Sequence, residues 1–212
     1  MCTNAPEKAA LRSELLAARG LLSSENVRKA EVVLARRALE LPELSGARTV
    51  AAYVSVGREP GTRALLDALR AGGVRVLLPV LMTDNDLDWA GYEGAERLVR
   101  AGRGLLEPEG ERLGTEAVLN ADAVLLPGLA VDGRGVRLGR GGGSYDRVLA
   151  RLARAGAAPA LTVLLYDHEV VARVPEEPHD HPVQAVVTPS GVRRFGTRPG
   201  SPGPGREAPP GP

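Results

Sequence analysis

TVAAYVSV-GREPG-TRALLDALRA-GG-VRVLLPV, residues 49–80, is the stretch on which the fold turns. Two short apolar runs, 50–56 and 74–80, are set off by a Gly- and Pro-containing break and a Gly-Gly turn, as strands are. Between them, residues 62–71 carry their apolar positions at helical spacing. Strand, helix, strand is the unit of a parallel sheet, because buried parallel strands read as continuous apolar runs and need helical crossovers. Further runs at 87–92, 123–129, 161–166 and 184–188 extend the pattern, and a helical stretch at 145–155 lies between two of them. The expected fold class is α/β: an open, mainly parallel sheet with helices on both faces.

Upstream, residues 7–19 and 24–40 read as two amphipathic helices, through Leu11, Leu15 and Leu16 and then Val27, Ala30, Val33 and Leu34. Ser23 and Ser24 are candidate N-caps of the second, and Pro42 stands where its pattern ends. Downstream, residues 196–212 hold five glycines and six prolines among 17 residues, too few large apolar groups to offset the entropy of ordering them. The expected organisation is one domain over residues 1–195 and a disordered Pro/Gly-rich tail over 196–212. A chain of 212 residues suits one domain.

The 27 basic and 26 acidic side chains leave a net charge of +1, so no global field holds the chain on nucleic acid or an acidic membrane. Any anion site is local. The only cysteine, Cys2, excludes an intramolecular disulfide and suits a reducing compartment. Residues 1–22 mix charges into short apolar stretches, unlike a signal peptide, and nowhere do about 18 apolar residues run unbroken. A cytoplasmic protein is expected.

The stretch that carries chemistry is DGRGVRLGRGGGSYD, residues 132–146, between an apolar run and a helix. Gly139, Gly141, Gly142 and Gly143 let backbone N–H groups converge on an anion without Cβ obstruction. The following helix N-terminus adds partial positive charge, and Arg137 and Arg140 add full charges suited to phosphate oxygens. Asp146, in the first helical turn, suits a magnesium ion shared with bound phosphates. Neither GxxxxGK[ST] nor GxGxxG occurs, so Walker and Rossmann readings are disfavoured. The bland alternative is a flexible surface loop with solvated arginines and an ordinary first-turn acid.

RLGRGGGSYDR (137–147) resembles the most specific motif of the 5-formyltetrahydrofolate cyclo-ligases, also called methenyltetrahydrofolate synthetases. So do DAVLLPGLA (122–130), KAALR (8–12), Glu59 followed by Thr62, GLLEP (104–108) and PHD (178–180), and the likeness spans about residues 7 to 192. The chain departs from the family at Ser144, where many relatives carry tyrosine, and at Gln184, where an acid is common.

The resemblance implies ATP-dependent closure of 5-formyltetrahydrofolate to 5,10-methenyltetrahydrofolate with release of ADP and phosphate. It implies an ATP site on Lys8, Arg12, Arg137, Leu138, Gly139, Arg140, Gly141, Gly142, Gly143, Ser144 and Tyr145. The folate site it implies includes Arg12, Val54, Glu59, Arg140, Gly141, Gly142, Gly143 and Ser144. Arg140 and Tyr145 are the expected catalytic residues, and Asp146 and Asp180 the expected magnesium contacts. The expected partners are these small molecules, with no nucleic acid or membrane, bound by a monomer or weak dimer. Taken alone, Lys8 and Arg12 would be solvated charges on a helix face, and Trp89 and Tyr92 read as core rather than folate-stacking residues. His179 and His181 beside Asp180 lack a third ligand motif. Two other functions stay open on the residues: a sugar-phosphate isomerase or transferase on a similar sheet, and a non-catalytic nucleotide or folate binder.

Overall fold

The computed structural model describes residues 4–177 and 180–196. Its helices are α1 (Ala5–Gly20), α2 (Ser24–Ala38), α3 (Pro42–Ser45), α4 (Arg63–Ala71) and α5 (Ser144–Ala155). The strands are β1 (Thr49–Ala51), β2 (Arg75–Leu81), β3 (Leu87–Gly91), β4 (Leu98–Arg100), β5 (Leu106–Pro108) and β6 (Ala123–Leu126), then β7 (Ala130–Val131), β8 (Arg137–Leu138), β9 (Ala160–Leu164), β10 (Ala185–Thr188) and β11 (Gly191–Arg194). Of the tail expected over 196–212, residues 197–212 lie outside the described residues, as do Cys2 and His179.

Seven strands form the main sheet in the order β11-β10-β9-β6-β1-β2-β3. The inner five run parallel, and β3 and β11 close the two edges antiparallel. From β1 the chain crosses through α4 to β2 on one side, then returns to place β6 on the other side of β1. The order therefore reverses between β1 and β6, and at such a switch point the loops leaving the carboxyl ends diverge and open a crevice.

Residues along each strand alternate between two cores. Val50, Ala123 and Leu125 face the layer of α2 and α4, with Leu34, Leu65, Leu66 and Leu69. Ala51, Val124 and Leu126 face the layer of α5, with Val148, Leu149 and Leu152. Helices thus cover both faces, as expected. Trp89 and Tyr92 are buried, each within one of these cores. Ser23 caps α2 by accepting the Asn26 amide at 3.1 Å.

Several details differ from the expectation. The run 50–56 pairs as a strand only over Thr49–Ala51; Ala52 still donates to Leu77 O at 2.8 Å, and the chain then leaves the sheet to line a cavity. The run 87–92 forms an antiparallel edge strand, because the short turn at 82–86 leaves no length for a crossover. Leu16 is exposed, and α1 instead buries Lys8, Leu15 and Arg19. Two small ribbons, β4–β5 and β7–β8, are additions.

Candidate functional site

A cavity of about 480 Å³ opens at the switch point. Its walls come from the residues after β1 (Tyr53, Val54, Val56, Glu59), Pro127 after β6, the end of β2, the β4–β5 ribbon and the turn from β8 into α5. Of the residues expected in the site, Val54, Glu59, Arg137, Gly139, Arg140, Gly141, Gly142, Gly143, Ser144, Tyr145 and Asp146 all line it. Two glycines of the turn adopt left-handed backbone, Gly141 at φ 92° and Gly143 at φ 75°, the latter immediately before α5. A Cβ there would be strained, so the turn that leads the chain into the helix needs glycine.

The two arginines of this turn behave differently. Arg137 is almost wholly buried; its Nη1 donates to Pro127 O at 2.8 Å, its Nη2 lies 3.5 Å from Asp146 Oδ1, and its Nε has no partner among the described residues. Burial pushes this guanidinium down from its ordinary value, against the favourable fields of Asp146 and, more weakly, Asp180. Arg140 is 54% exposed and donates from Nη1 to Glu59 Oε1 at 3.0 Å. Glu59 Oε2 in turn accepts the Val56 amide at 2.9 Å. Tyr145 completes the wall. Its hydroxyl is enclosed without a partner among the described residues, and burial pushes its pKa well above the usual phenol range, so it is a neutral donor. Arg19, Arg37, Trp89 and Arg151 carry similar buried donors, without a hydrogen-bond partner among the described residues, away from the cavity, so the two here are donors held close to its wall and not by themselves the mark of a ligand.

Four expected residues do not line the cavity. Leu138 points into the apolar cluster under α1, because alternation along β8 gives the opposite face to Arg137. Arg12 lies behind the glycine-rich turn and donates from Nε to Gly139 O at 2.9 Å. Lys8 and Asp180 meet each other: Lys8 Nζ lies 2.6 Å from Glu177 Oε2 and 2.9 Å from Asp180 Oδ2. Burial pulls the Lys8 ammonium down, but the hydrogen bonds to Glu177 and Asp180 outweigh it and leave the pKa above the usual lysine value. Asp180 Oδ2 also accepts the Glu177 amide at 2.8 Å. Gln184, the departure from the family pattern, has a structural part: its Oε1 accepts the Leu161 amide and ties the entry of β10 to β9.

Two polar groups escaped the sequence reading. Arg19 and Glu169 form a buried pair, Nε to Oε1 at 2.5 Å and Nη2 to Oε2 at 3.0 Å, while Nη2 also donates to Gly128 O at 2.7 Å. Glu169 Oε2 accepts the Tyr166 amide, and the Tyr166 hydroxyl donates to Arg58 O at 3.2 Å in the turn that carries Glu59. The available signal was position: Arg19 stands four and eleven residues beyond Leu15 and Lys8, on the buried stripe of α1.

Asp132 is the second. It is buried at the entry to the glycine-rich stretch and accepts the amides of Arg134 (2.9 Å), Val136 (3.3 Å) and Val174 (3.1 Å) and the Arg134 guanidinium (2.7 Å). Burial alone would raise its pKa; these donors outweigh burial and hold it below the usual carboxylate value. Its stabilising contribution is therefore complete above the unfolded value of about 4 and is lost as pH falls through the lower folded value. Thermal melts of the wild type are expected to hold from pH 7 to 5 and to drop below about pH 4, with Asp132→Asn melting lower at pH 7 and losing part of the acid dependence. An unchanged profile in Asp132→Asn would show that other carboxylates set it.

This architecture defines the class: an open α/β protein whose cavity sits at the switch point of its sheet and is walled by a glycine-rich turn. The chain belongs to the 5-formyltetrahydrofolate cyclo-ligase family, whose sequence pattern matches residues 4–189. It is 43% identical over 187 residues to the 5-formyltetrahydrofolate cyclo-ligase of Mycolicibacterium smegmatis, covering 86% of this chain and 93% of that one. The Escherichia coli K12 protein of the same name is 34% identical over 160 residues, 74% of this chain and 87% of its own. Among solved structures, the Aquifex aeolicus 5,10-methenyltetrahydrofolate synthetase superposes with a TM-score of 0.75 at 29% identity, covering 94% of this chain and 97% of that one. No helix among the described residues is long and apolar enough to cross a membrane.

Proposed function

We propose that this chain catalyses the ATP-dependent closure of 5-formyltetrahydrofolate to 5,10-methenyltetrahydrofolate, releasing ADP and phosphate. In a member of this family, one observation carries the reading to these residues: the glycine-rich turn, Arg137, Arg140, Tyr145 and Glu59 all line one cavity.

The formyl oxygen attacks the γ-phosphorus and ADP leaves; N10 then adds to the formyl carbon, gives up its proton, and the oxygen departs as phosphate, which takes that proton. Without phosphorylation that oxygen is a poor leaving group. The protein's work is alignment and neutralisation of charge rather than covalent catalysis. Backbone amides of 139–143, Arg137 Nε and the Tyr145 hydroxyl supply donors to the phosphate oxygens. Arg140 exchanges Glu59 for the γ-phosphate, and the freed Glu59 carboxylate takes the pterin. Arg12 acts from behind by holding the Gly139 carbonyl, which fits a part in shaping the ATP site.

Magnesium fits these residues as an ion shared with phosphates. No group of three or more His, Cys, Asp or Glu side chains among the described residues could cage it, whereas Asp146 is 51% exposed in the cavity wall; Asp180 stands outside that wall, tied through Oδ2 to Lys8 and Glu177, and is a second contact on the family resemblance alone. When bound, it would neutralise charge on the phosphoryl oxygens. Lys8 then positions Asp180. The working unit is residues 1–195, a monomer or weak dimer in the cytoplasm acting on small molecules. The single cysteine and near-neutral charge agree with that setting.

The test is the near-ultraviolet absorbance of the methenyl product on mixing protein, 5-formyltetrahydrofolate, ATP and magnesium. Absorbance that rises only with all components, with ADP formed in equal amount, is the expected result. Folded protein that binds both ligands without turnover would instead make it a binder.

A further inference from the structure

Three arginines line the cavity, and the function proposed above uses only Arg137 and Arg140. The third, Arg103, comes from the β4–β5 ribbon, on the edge-strand side of the sheet, and the wall beside it is apolar: Leu81, Leu87, Leu105 and Leu106. Its backbone is unusual. Among the described residues only Asn85 and Arg103 adopt positive φ without being glycine, at 64° and 59°, and these two are hydrogen-bonded to each other, Arg103 Nη1 to Asn85 Oδ1 at 2.9 Å. Arginine has no local reason to prefer left-handed backbone, and here it does so between two glycines, Gly102 and Gly104. The one acid beside it in the wall, Glu107, spends Oε1 on the Leu81 amide at 3.0 Å.

We propose that Arg103 is a specificity-determining residue that receives the carboxylates of the folate's glutamate tail. This rests on the folate reading above. A reduced folate is a flat ring system joined through an aminobenzoyl group to a glutamate, so a pterin at Glu59 and an apolar passage leave the anionic end to meet a cation at the rim. A guanidinium fits a carboxylate as a two-pronged donor, and an exposed one adapts to a tail of one or several glutamates.

The experiment compares wild type with Arg103→Gly and Arg103→Asn, both of which tolerate the left-handed backbone, so that the fold is kept. Substrates are 5-formyltetrahydrofolate with one glutamate, with several, and with its glutamate carboxylates capped as amides. The expected result is a KM about tenfold higher for the two charged substrates in both variants, the size of a lost charge-assisted hydrogen bond. KM for the capped folate and for ATP, and kcat, should stay within about twofold. The rise of KM with added salt, present in wild type for charged tails, should flatten in the variants. Equal KM values for charged and capped folates in wild type, or an unchanged ratio in the variants, overturn the assignment. If wild type shows no turnover, the activity reading fails separately, and the same comparison made by calorimetric binding of the three folates still decides the part played by Arg103.

Discussion

Arg140→Ala is expected to lower kcat by about 10²- to 10³-fold, the loss seen when one donor to transition-state charge is removed. The side chain is 54% exposed and its one partner among the described residues is Glu59, so stability should change by about 1 kcal/mol or less. Glu59 keeps the Val56 amide as a partner when the arginine is gone. Arg140→Lys tests geometry: it keeps the charge but not the planar fork, and should recover only part of the rate. Steady-state kinetics beside thermal melts make the check, and wild-type turnover in Arg140→Ala would remove the residue from the catalytic set.

Glu169→Ala should give the largest loss of stability. Arg19 and Glu169 are 4% and 0% exposed, and removing one partner strands a charge where water cannot reach it, at a cost of about 3–5 kcal/mol. In a domain of this size each kcal/mol shifts the melting temperature by roughly 2–4 °C, so a drop of about 6–20 °C is expected. The double variant Arg19→Met with Glu169→Leu should recover most of it, since a buried pair is often replaceable by packed apolar groups. The same pair holds Gly128 and Tyr166, and Tyr166 holds the turn before Glu59. The single variant should therefore also raise KM for the folate. A melting change under about 2 °C would contradict this view of the pair.

The sheet was legible because its signals are local. Apolar runs at 50–56, 74–80 and 123–129 mark buried strands whichever neighbours they find, and the Gly-Gly turn at 72–73 separates helix from strand without help from the rest of the chain. The limits of those runs were not legible. Val54 and Val56 are as apolar as Val50, yet they leave the sheet and line the cavity, and an apolar side chain looks the same in sequence whether it faces a core or a ligand. Nor does composition give the direction of β3, which follows from the five-residue turn at 82–86. On α1 residue type is no guide to burial: Lys8, a solvated charge when taken alone, and Arg19 are both buried, and only partners about 170 and 150 residues away, Asp180 and Glu169, make that favourable.

The glycine-rich turn was the most legible part of the candidate site, since left-handed backbone at Gly141 and Gly143 and the start of α5 follow from residue type at fixed spacing. What spacing could not reveal was the division of labour between Arg137, sunk against Pro127, and Arg140, held by Glu59. Leu138 sits between them in sequence and in a different core.

The most direct measurement is amide-resolved hydrogen exchange on the full chain with and without Mg-ATP. Slowed exchange concentrated at residues 139–145, and lost in Arg140→Ala at the same nucleotide concentration, is the outcome expected if converging amides there grip the triphosphate. Exchange at those amides that is indifferent to saturating Mg-ATP, or protection confined to another part of the chain, would contradict it.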